Sequence, residues 1–329
     1  GNNNISTFQS FIGAGTNNNA SASCTTIGGG QYNCTTALWA SVLGGCKNTA
    51  SGIFSSVVGG CGNIAVGYAS IVGGGIGNNS AGCYSTISGG IVNIATGDFG
   101  VVGGGRSNTA SCYKSTVGGG DSNSSSGGYS TISGGRGNCS NALYTYVGGG
   151  VFNCSTAFGS SIVGGCLNKA SGCTSFIGNG VSNCAVGQYS SIVGGVSNCA
   201  TSVHSFVGGG QNNMASGNYG GAVVVGGCNN KATACVAFIG GGQSNCATIN
   251  GSTIVGGNVN TNSSVYGFIG SGQTNNNTGN KTVLVGGQSN NTGSFYSSLV
   301  GGVSNCANAF LSSLLGGQCN NASGNASAL

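Results

Sequence analysis

Proline is absent from this chain of 329 residues, charged side chains make up only 3% of it, and it holds one histidine, one tryptophan and one methionine. Each shortage excludes something. Without proline, nearly every backbone N–H stays free to enter a β-ladder. Ordinary domains carry about a quarter charged residues; here seven basic residues face Asp98 and Asp121, scattered, so the net charge of +5 builds no nucleic-acid stripe. His204 has no repeat-defined relation to either acid, which leaves a Ser-His-Asp arrangement without support. Asp98-Phe99-Gly100 spells a kinase tripeptide but lacks the other kinase elements. Gly28 to Gly30 lead into Gln31-Tyr32-Asn33, with no Gly-Lys-Ser and no helix to make a phosphate cradle. No Cys-x-x-Cys pair suggests zinc. The expectation is a non-enzyme without metal or cofactor. No apolar run approaches the ~18 residues of a membrane-spanning helix; Ala222 to Val225 is the longest, and no signal segment is visible.

What is present is one motif, repeated. In Ser190 to Asn198, a hydroxyl residue and an aliphatic lead through a glycine pair to asparagine. The asparagine returns every fifteen residues: Asn18, Asn33, Asn48, Asn63, Asn78, Asn93, Asn108, Asn123, Asn138, Asn153, Asn168, Asn183, Asn198, Asn213. One step of seventeen follows, around Gly220 and Gly221, and fifteens resume at Asn230, Asn245, Asn260, Asn275, Asn290, Asn305 and Asn320. These twenty-one repeats leave no unrelated stretch between them, so residues 1–329 read as a single repeat domain with short Asn/Ser-rich tails. A short fixed period filling a chain marks a solenoid, in which each unit buries its apolar face against its neighbours.

Numbering each repeat from its asparagine as position 0, position −6 is aliphatic throughout (Ile27, Val42, Ile132, Ile192, Leu314), position +2 is small, often alanine, and +4 is often glycine. The consensus N-x-A-x-G-x-Y-S-x-[IV]-x-G-G-x-x contains two period-two segments separated by turns. The expected fold is therefore all-β with no helix of note: a narrow β-roll of about twenty-one coils, each with two strands of about five residues. At a strand spacing of ~4.8 Å the coils would extend ~100 Å, a rod. The glycine pairs are expected to supply positive φ at the turns. The asparagines, Asn33 through Asn198 most regularly, are expected to stack amide on amide. At −5, glycine (Gly28, Gly178, Gly208) tends to alternate with a bulkier residue (Leu43, Val193, Val225). Either alternate coils pack large against small or one turn spans thirty residues; the asparagine and aliphatic columns ignore the alternation, which favours the first.

Seventeen cysteines follow the repeat. Cys46 with Cys61, Cys139 with Cys154 and Cys184 with Cys199 stand one period apart, on adjacent coils at about 5 Å, and are candidate disulfides. Such staples imply an oxidising compartment, and an odd count leaves one thiol free or joined to another chain; buried cysteine is otherwise simply a small apolar residue. N-x-[ST] sequons abound, and Asn250, Asn262 and Asn280, outside the asparagine column, are the candidate glycosylation sites. Aromatics recur near +6 (Phe54, Tyr84, Phe99, Tyr129, Tyr144, Tyr189, Tyr219), fit to cover an edge, pack a neighbouring rod or stack sugars.

On the motif S-x-[IV]-x-G-G-x-x-N-x-A-x-G the chain resembles the head repeats of YadA-like trimeric autotransporter adhesins. At Val196-Ser197-Asn198-Cys199-Ala200 it is also similar to the ryegrass-type antifreeze β-roll. Both resemblances imply an extracellular β-roll; the first implies a trimer, the second an ice-binding face. The leading expectation is a structural subunit of an extracellular, cell-surface or virion-surface fibre, self-associating through uncapped β-edges. The alternatives are an adhesin head that binds glycans or a host surface, and an ice-binding protein. Neither nucleic acid nor a membrane span is expected.

Overall fold

The computed structural model describes residues 4–329, in two units divided between Gly165 and Cys166. Each unit is a parallel β-solenoid with one coil per fifteen-residue repeat, and no helix occurs among the described residues. In the first unit Thr26–Ile27 pairs with Ser41–Val42, and Cys34–Thr35 with Thr49–Ala50. In the second, Phe176–Ile177 pairs with Ser191–Ile192, and Cys184–Ala185 with Cys199–Ala200. The in-register step of fifteen settles the coil length. A third column of single-residue bridges runs through position −2, as in Gln31 to Cys46 to Cys61.

The strands are two residues long, not about five, because three residues per coil leave the extended region. Between Asn33 and Asn48 these are Trp39 (φ 57°), Gly45 (φ 90°) and Lys47 (φ 56°). At Gly45 only glycine is comfortable, since φ lies well beyond the left-handed well near 57°; its pair-mate Gly44 is not in the positive-φ region, so one glycine of the pair supplies the turn. At the other two corners a side chain is tolerated, and the local flip reverses the peptide. Ser41 and Thr49 donate forward to Ser55 and Asn63 of the next coil, whereas Phe54 and Lys47 donate backward to Leu38 and Gln31 of the previous one. The non-glycine corners cost about 1–2 kcal/mol each, offset by a backbone bond to the neighbouring coil.

The interior is one side chain deep. The −6 aliphatics, Ile27 through Ile162 in the first unit and Ile177 through Leu314 in the second, are fully buried, with the small +2 residues beside them. Burying each valine or isoleucine contributes about 1.5–3 kcal/mol. At +7 a serine closes the corner in some coils: Ser115 Oγ donates to the Cys112 carbonyl at 2.7 Å.

The asparagine column from Asn18 to Asn305 is buried too, at 0–1% exposure, but it does not stack amide on amide as its spacing predicts. Oδ1 of Asn33 accepts from the backbone N–H of Asn48, while Nδ2 of Asn33 donates to Gly29 O of its own coil and Gly45 O of the next. The short side chain reaches the next coil's backbone, one ladder spacing away, where it accepts from the Asn48 N–H and gives Gly45 O a second donor beside the Gln31 N–H. A direct amide-to-amide bond is added at a few rungs, such as Asn78 to Asn63 at 3.1 Å.

Two irregularities have physical explanations. The seventeen-residue step places the extra glycines at an outer corner, with φ of 102° at Gly220 and 72° at Gly221, and the register resumes at Val223 to Phe238. Part of the alternation at −5 follows the residue two positions earlier, on the same side of the strand: an aromatic at −7 is always followed by glycine, although Gly28 and Gly118 follow threonine. The rings of Phe206 and Phe238 lie 3.4 and 3.5 Å from where a Cβ on Gly208 and Gly240 would stand. Coils with Val193 or Val255 at −5 carry Ser191 or Thr253 at −7 instead.

Candidate functional site

The left-handed corner at +6 points its side chain outward, so this position writes the surface. In the first unit it holds Trp39, Phe54, Tyr84, Phe99, Tyr129 and Tyr144. The intervening coils have Ala69, Lys114 and Gly159 at +6, and there the aromatic is at +5: Tyr68, Tyr113 and Phe158. The result is an unbroken array of nine rings, with centroids 4.7–5.7 Å apart. It repeats every three coils as one stacked pair followed by two edge contacts: Trp39–Phe54, Tyr84–Phe99 and Tyr129–Tyr144 stack at interplanar angles of 11°, 7° and 26°. Sequence reading found the +6 members except Trp39 and missed the +5 ones; the signal was that +5 turns aromatic in these coils, where +6 is not.

Orientation limits what the array can do. Stacked +6 rings cover one another's faces and show their edges, while the +5 rings lie across them at 66–86°. Lys114 sits within the array, its Nζ 5.1–5.9 Å from the Tyr113, Tyr129 and Phe99 centroids, a cation held over π-faces. In the second unit His204 continues the pattern as a surface residue stacked on Tyr189 at 5.0 Å.

The charges are less scattered than a linear reading suggests. Arg106, Asp121 and Arg136 are consecutive rungs of the −2 column, and Arg106 forks onto Asp121 through Nε and Nη2 at 3.2 and 2.5 Å. The Arg106 hydrogen bond, then one from Ser122, holds the Asp121 carboxyl below the usual carboxylate range. A depressed acid stabilises above its unfolded pKa, and that contribution is lost as pH falls through the folded one. The pair is solvent-exposed, so Asp121→Asn is expected to leave the melting temperature almost unchanged at neutral pH and physiological salt. The small low-salt difference from the parent should vanish in acid; melts at both pH values and two salt concentrations check it.

The three candidate cysteine pairs share rungs as their spacing implies. Cys139 and Cys154 are bridged, with Cα atoms 4.6 Å apart. Cys46 faces Cys61 in the −2 column, and Cys184 faces Cys199 at +1, all four as thiols. Cys184 is drawn down to about 6 by its hydrogen bond with Cys199, against burial and with help from Lys169; the same bond pushes Cys199 up. Among the described residues no three His, Cys, Asp or Glu gather as a metal cluster.

Of the three glycosylation candidates, Asn250 is exposed and Asn280 half-buried. Asn262 corrects the expectation: it occupies the +2 core column, fully buried, its amide donating to Thr253 O and Gly267 O. Two residues after Asn260 the chain points inward, so a glycan has no exit there. Asn250 lines an open cleft of about 450 Å³ with Asn218, Tyr219 and Cys235, beside the two-glycine insertion that swings Tyr219 out to 92% exposure.

Compared with known proteins, the chain matches no family model and no curated protein sequence.

Proposed function

We propose that this chain is a structural subunit of an extracellular fibre, on a cell or virion surface, in which β-solenoid units stack and associate with further copies. The observation that carries the reading is the buried asparagine column. The most regular residue of the sequence is spent on bonds that run from coil to coil, as are the two ladders and the −2 bridges. A side chain repeated for axial cohesion suits a protein whose task is to hold a form under load, and the Cys139–Cys154 bridge across one rung adds a covalent tie of the kind oxidising compartments permit. Electron microscopy of native material tests it. Long uniform filaments that shed subunits in reductant are the expected result; discrete particles at high concentration under oxidising conditions would overturn it.

A second reading, an adhesin head that binds glycans in the manner the YadA-like resemblance implies, is favoured by the exposed aromatic array. Tyr68, Tyr113 and Phe158, turned across the stack, are the rings with faces to offer a sugar. Binding to a glycan array that is lost in Tyr68→Ala and Tyr113→Ala would move the assignment there. The antifreeze likeness makes ice binding a third reading, and absence of thermal hysteresis would remove it.

A further inference from the structure

The +1 ladder of the second unit contains a run unlike its neighbours. Consecutive coils place Lys169, Cys184, Cys199, Met214 and Lys231 side by side, in register. Two thiols and a thioether thus share one sheet face, half-buried, between two exposed ammonium groups. Basic residues number seven in the whole chain, and two of them bracket this run.

We propose that Cys184 and Cys199, with Met214 as a third and weaker donor, bind a soft monovalent cation of the copper(I) or silver(I) class. The span fits: neighbouring strands lie ~4.8 Å apart, close to two metal–sulfur bonds in line if each is as long as the ~2.3 Å zinc–thiolate bond. The donors fit, because thiolate and thioether sulfur select soft ions, whereas zinc would need four ligands in a tetrahedron that one straight column cannot supply. The charge fits as well. Each thiol releases a proton to solvent as its sulfur–metal bond forms, two thiolates around a monovalent ion leave one net negative charge, and Lys169 and Lys231 stand one rung from the donors on either side to balance it. Cys139 and Cys154 occupy an equivalent +1 rung and are bridged there, so the rung itself admits a disulfide, and the ion competes with oxidation for the Cys184 and Cys199 sulfurs. A bound ion would therefore keep this pair reduced in surroundings where Cys139 and Cys154 are bridged.

The test uses the full chain, with Cys184 and Cys199 reduced, under anaerobic conditions. Copper(I) is delivered from a competing chelator, and cysteines are alkylated after one equivalent and identified by mass spectrometry. Expected are protection of Cys184 and Cys199 with Cys246 still labelled, loss of the tightest equivalent in C184S and in C199S, and weaker binding in M214L. Serine already occupies this column at Ser124, so the serine variants keep a residue the ladder accepts. The proposal is overturned if the C184S/C199S double variant binds the first equivalent as tightly as the parent, if protection falls on other cysteines, or if zinc(II) competes equally for the pair. It is also overturned if the pair oxidises in air as fast with the ion as without it.

Discussion

Replacing Asn108 by alanine is expected to destabilise its coil by about 3–5 kcal/mol, and replacing it by aspartate to do more damage at neutral pH than alanine does. Asn108 Oδ1 accepts from the backbone N–H of Asn123 and, at 3.1 Å, from Asn123 Nδ2, and its own Nδ2 donates to Gly104 O and Gly120 O at 2.9 Å. Alanine removes the four bonds together, leaving the buried Asn123 N–H without its partner and Gly104 O short of a donor, while Gly120 O keeps the Arg106 N–H. An unmade bond of this kind costs about 1–3 kcal/mol per buried group. Aspartate keeps the acceptor for Asn123 but turns a second oxygen, charged, toward two carbonyls. Burial and those carbonyls disfavour the charge, so the folded pKa of such an aspartate is raised above its unfolded value of about 3.9. The sign follows: the charge penalty is absent below that unfolded value, grows as pH rises, and is complete above the folded pKa. Asn108→Asp should therefore be milder near pH 3 than at pH 7, whereas Asn108→Ala should show no such dependence. In a repeat array the coil opens locally before the whole unfolds. Hydrogen exchange at the amides of Arg106 and Asn123 is the direct measurement, with the denaturant midpoint beside it. Equal protection in parent and alanine variant would show that the column is dispensable.

Adjacent glycines of one pair should behave in opposite ways. Gly120 has φ 94°, and a Cβ there would overlap the Gly135 carbonyl and stand 2.7 Å from Asn123 Nδ2. Alanine at Gly120 must strain the backbone, by about 1–3 kcal/mol, and must also push apart the bond from Asn123 Nδ2 to Gly135 O, now 2.8 Å, for a total of about 3–5 kcal/mol. At Gly119 the nearest atom to an added Cβ is 4.0 Å away. Gly119→Ala is expected to change stability by less than about 0.5 kcal/mol. Two denaturation curves decide it; similar midpoints would show that the glycine pair is kept for something other than this corner.

How far the sequence could be read depended on whether a position is set by the period or by its neighbours. The asparagines and the −6 aliphatics belong to the period: every coil presents them the same surroundings, so spacing alone placed them inside. Partners are a different matter. Nothing in the recurrence of Asn33 and Asn48 tells whether an amide bonds the next amide or the next backbone, because both lie one rung away; at this rung the backbone takes it, the Asn48 N–H finding its acceptor in Asn33 Oδ1. Strand length was overestimated for a similar reason. Trp39 and Lys47 sit at left-handed corners that sequence habit reserves for glycine, and each cuts short a run that alternation alone would extend. Asn262 was misplaced because its sequon was weighed ahead of its column. The column of Arg106, Asp121 and Arg136 was visible at fifteen-residue spacing but looked scattered while charges were read along the chain rather than down the coils.

The aromatic array keeps its own time. The backbone repeats with each coil, whereas the rings of Trp39, Tyr84 and Tyr129 recur only with every third, forty-five residues apart. Loss or gain of a single coil would leave every ladder intact and still throw the stacked pairs out of phase with whatever lies alongside. Loss or gain of three would restore both. Variants of this protein that differ in length are thus of two grades: single-coil changes, which folding overlooks and lateral recognition would notice, and triple-coil changes, which neither would detect.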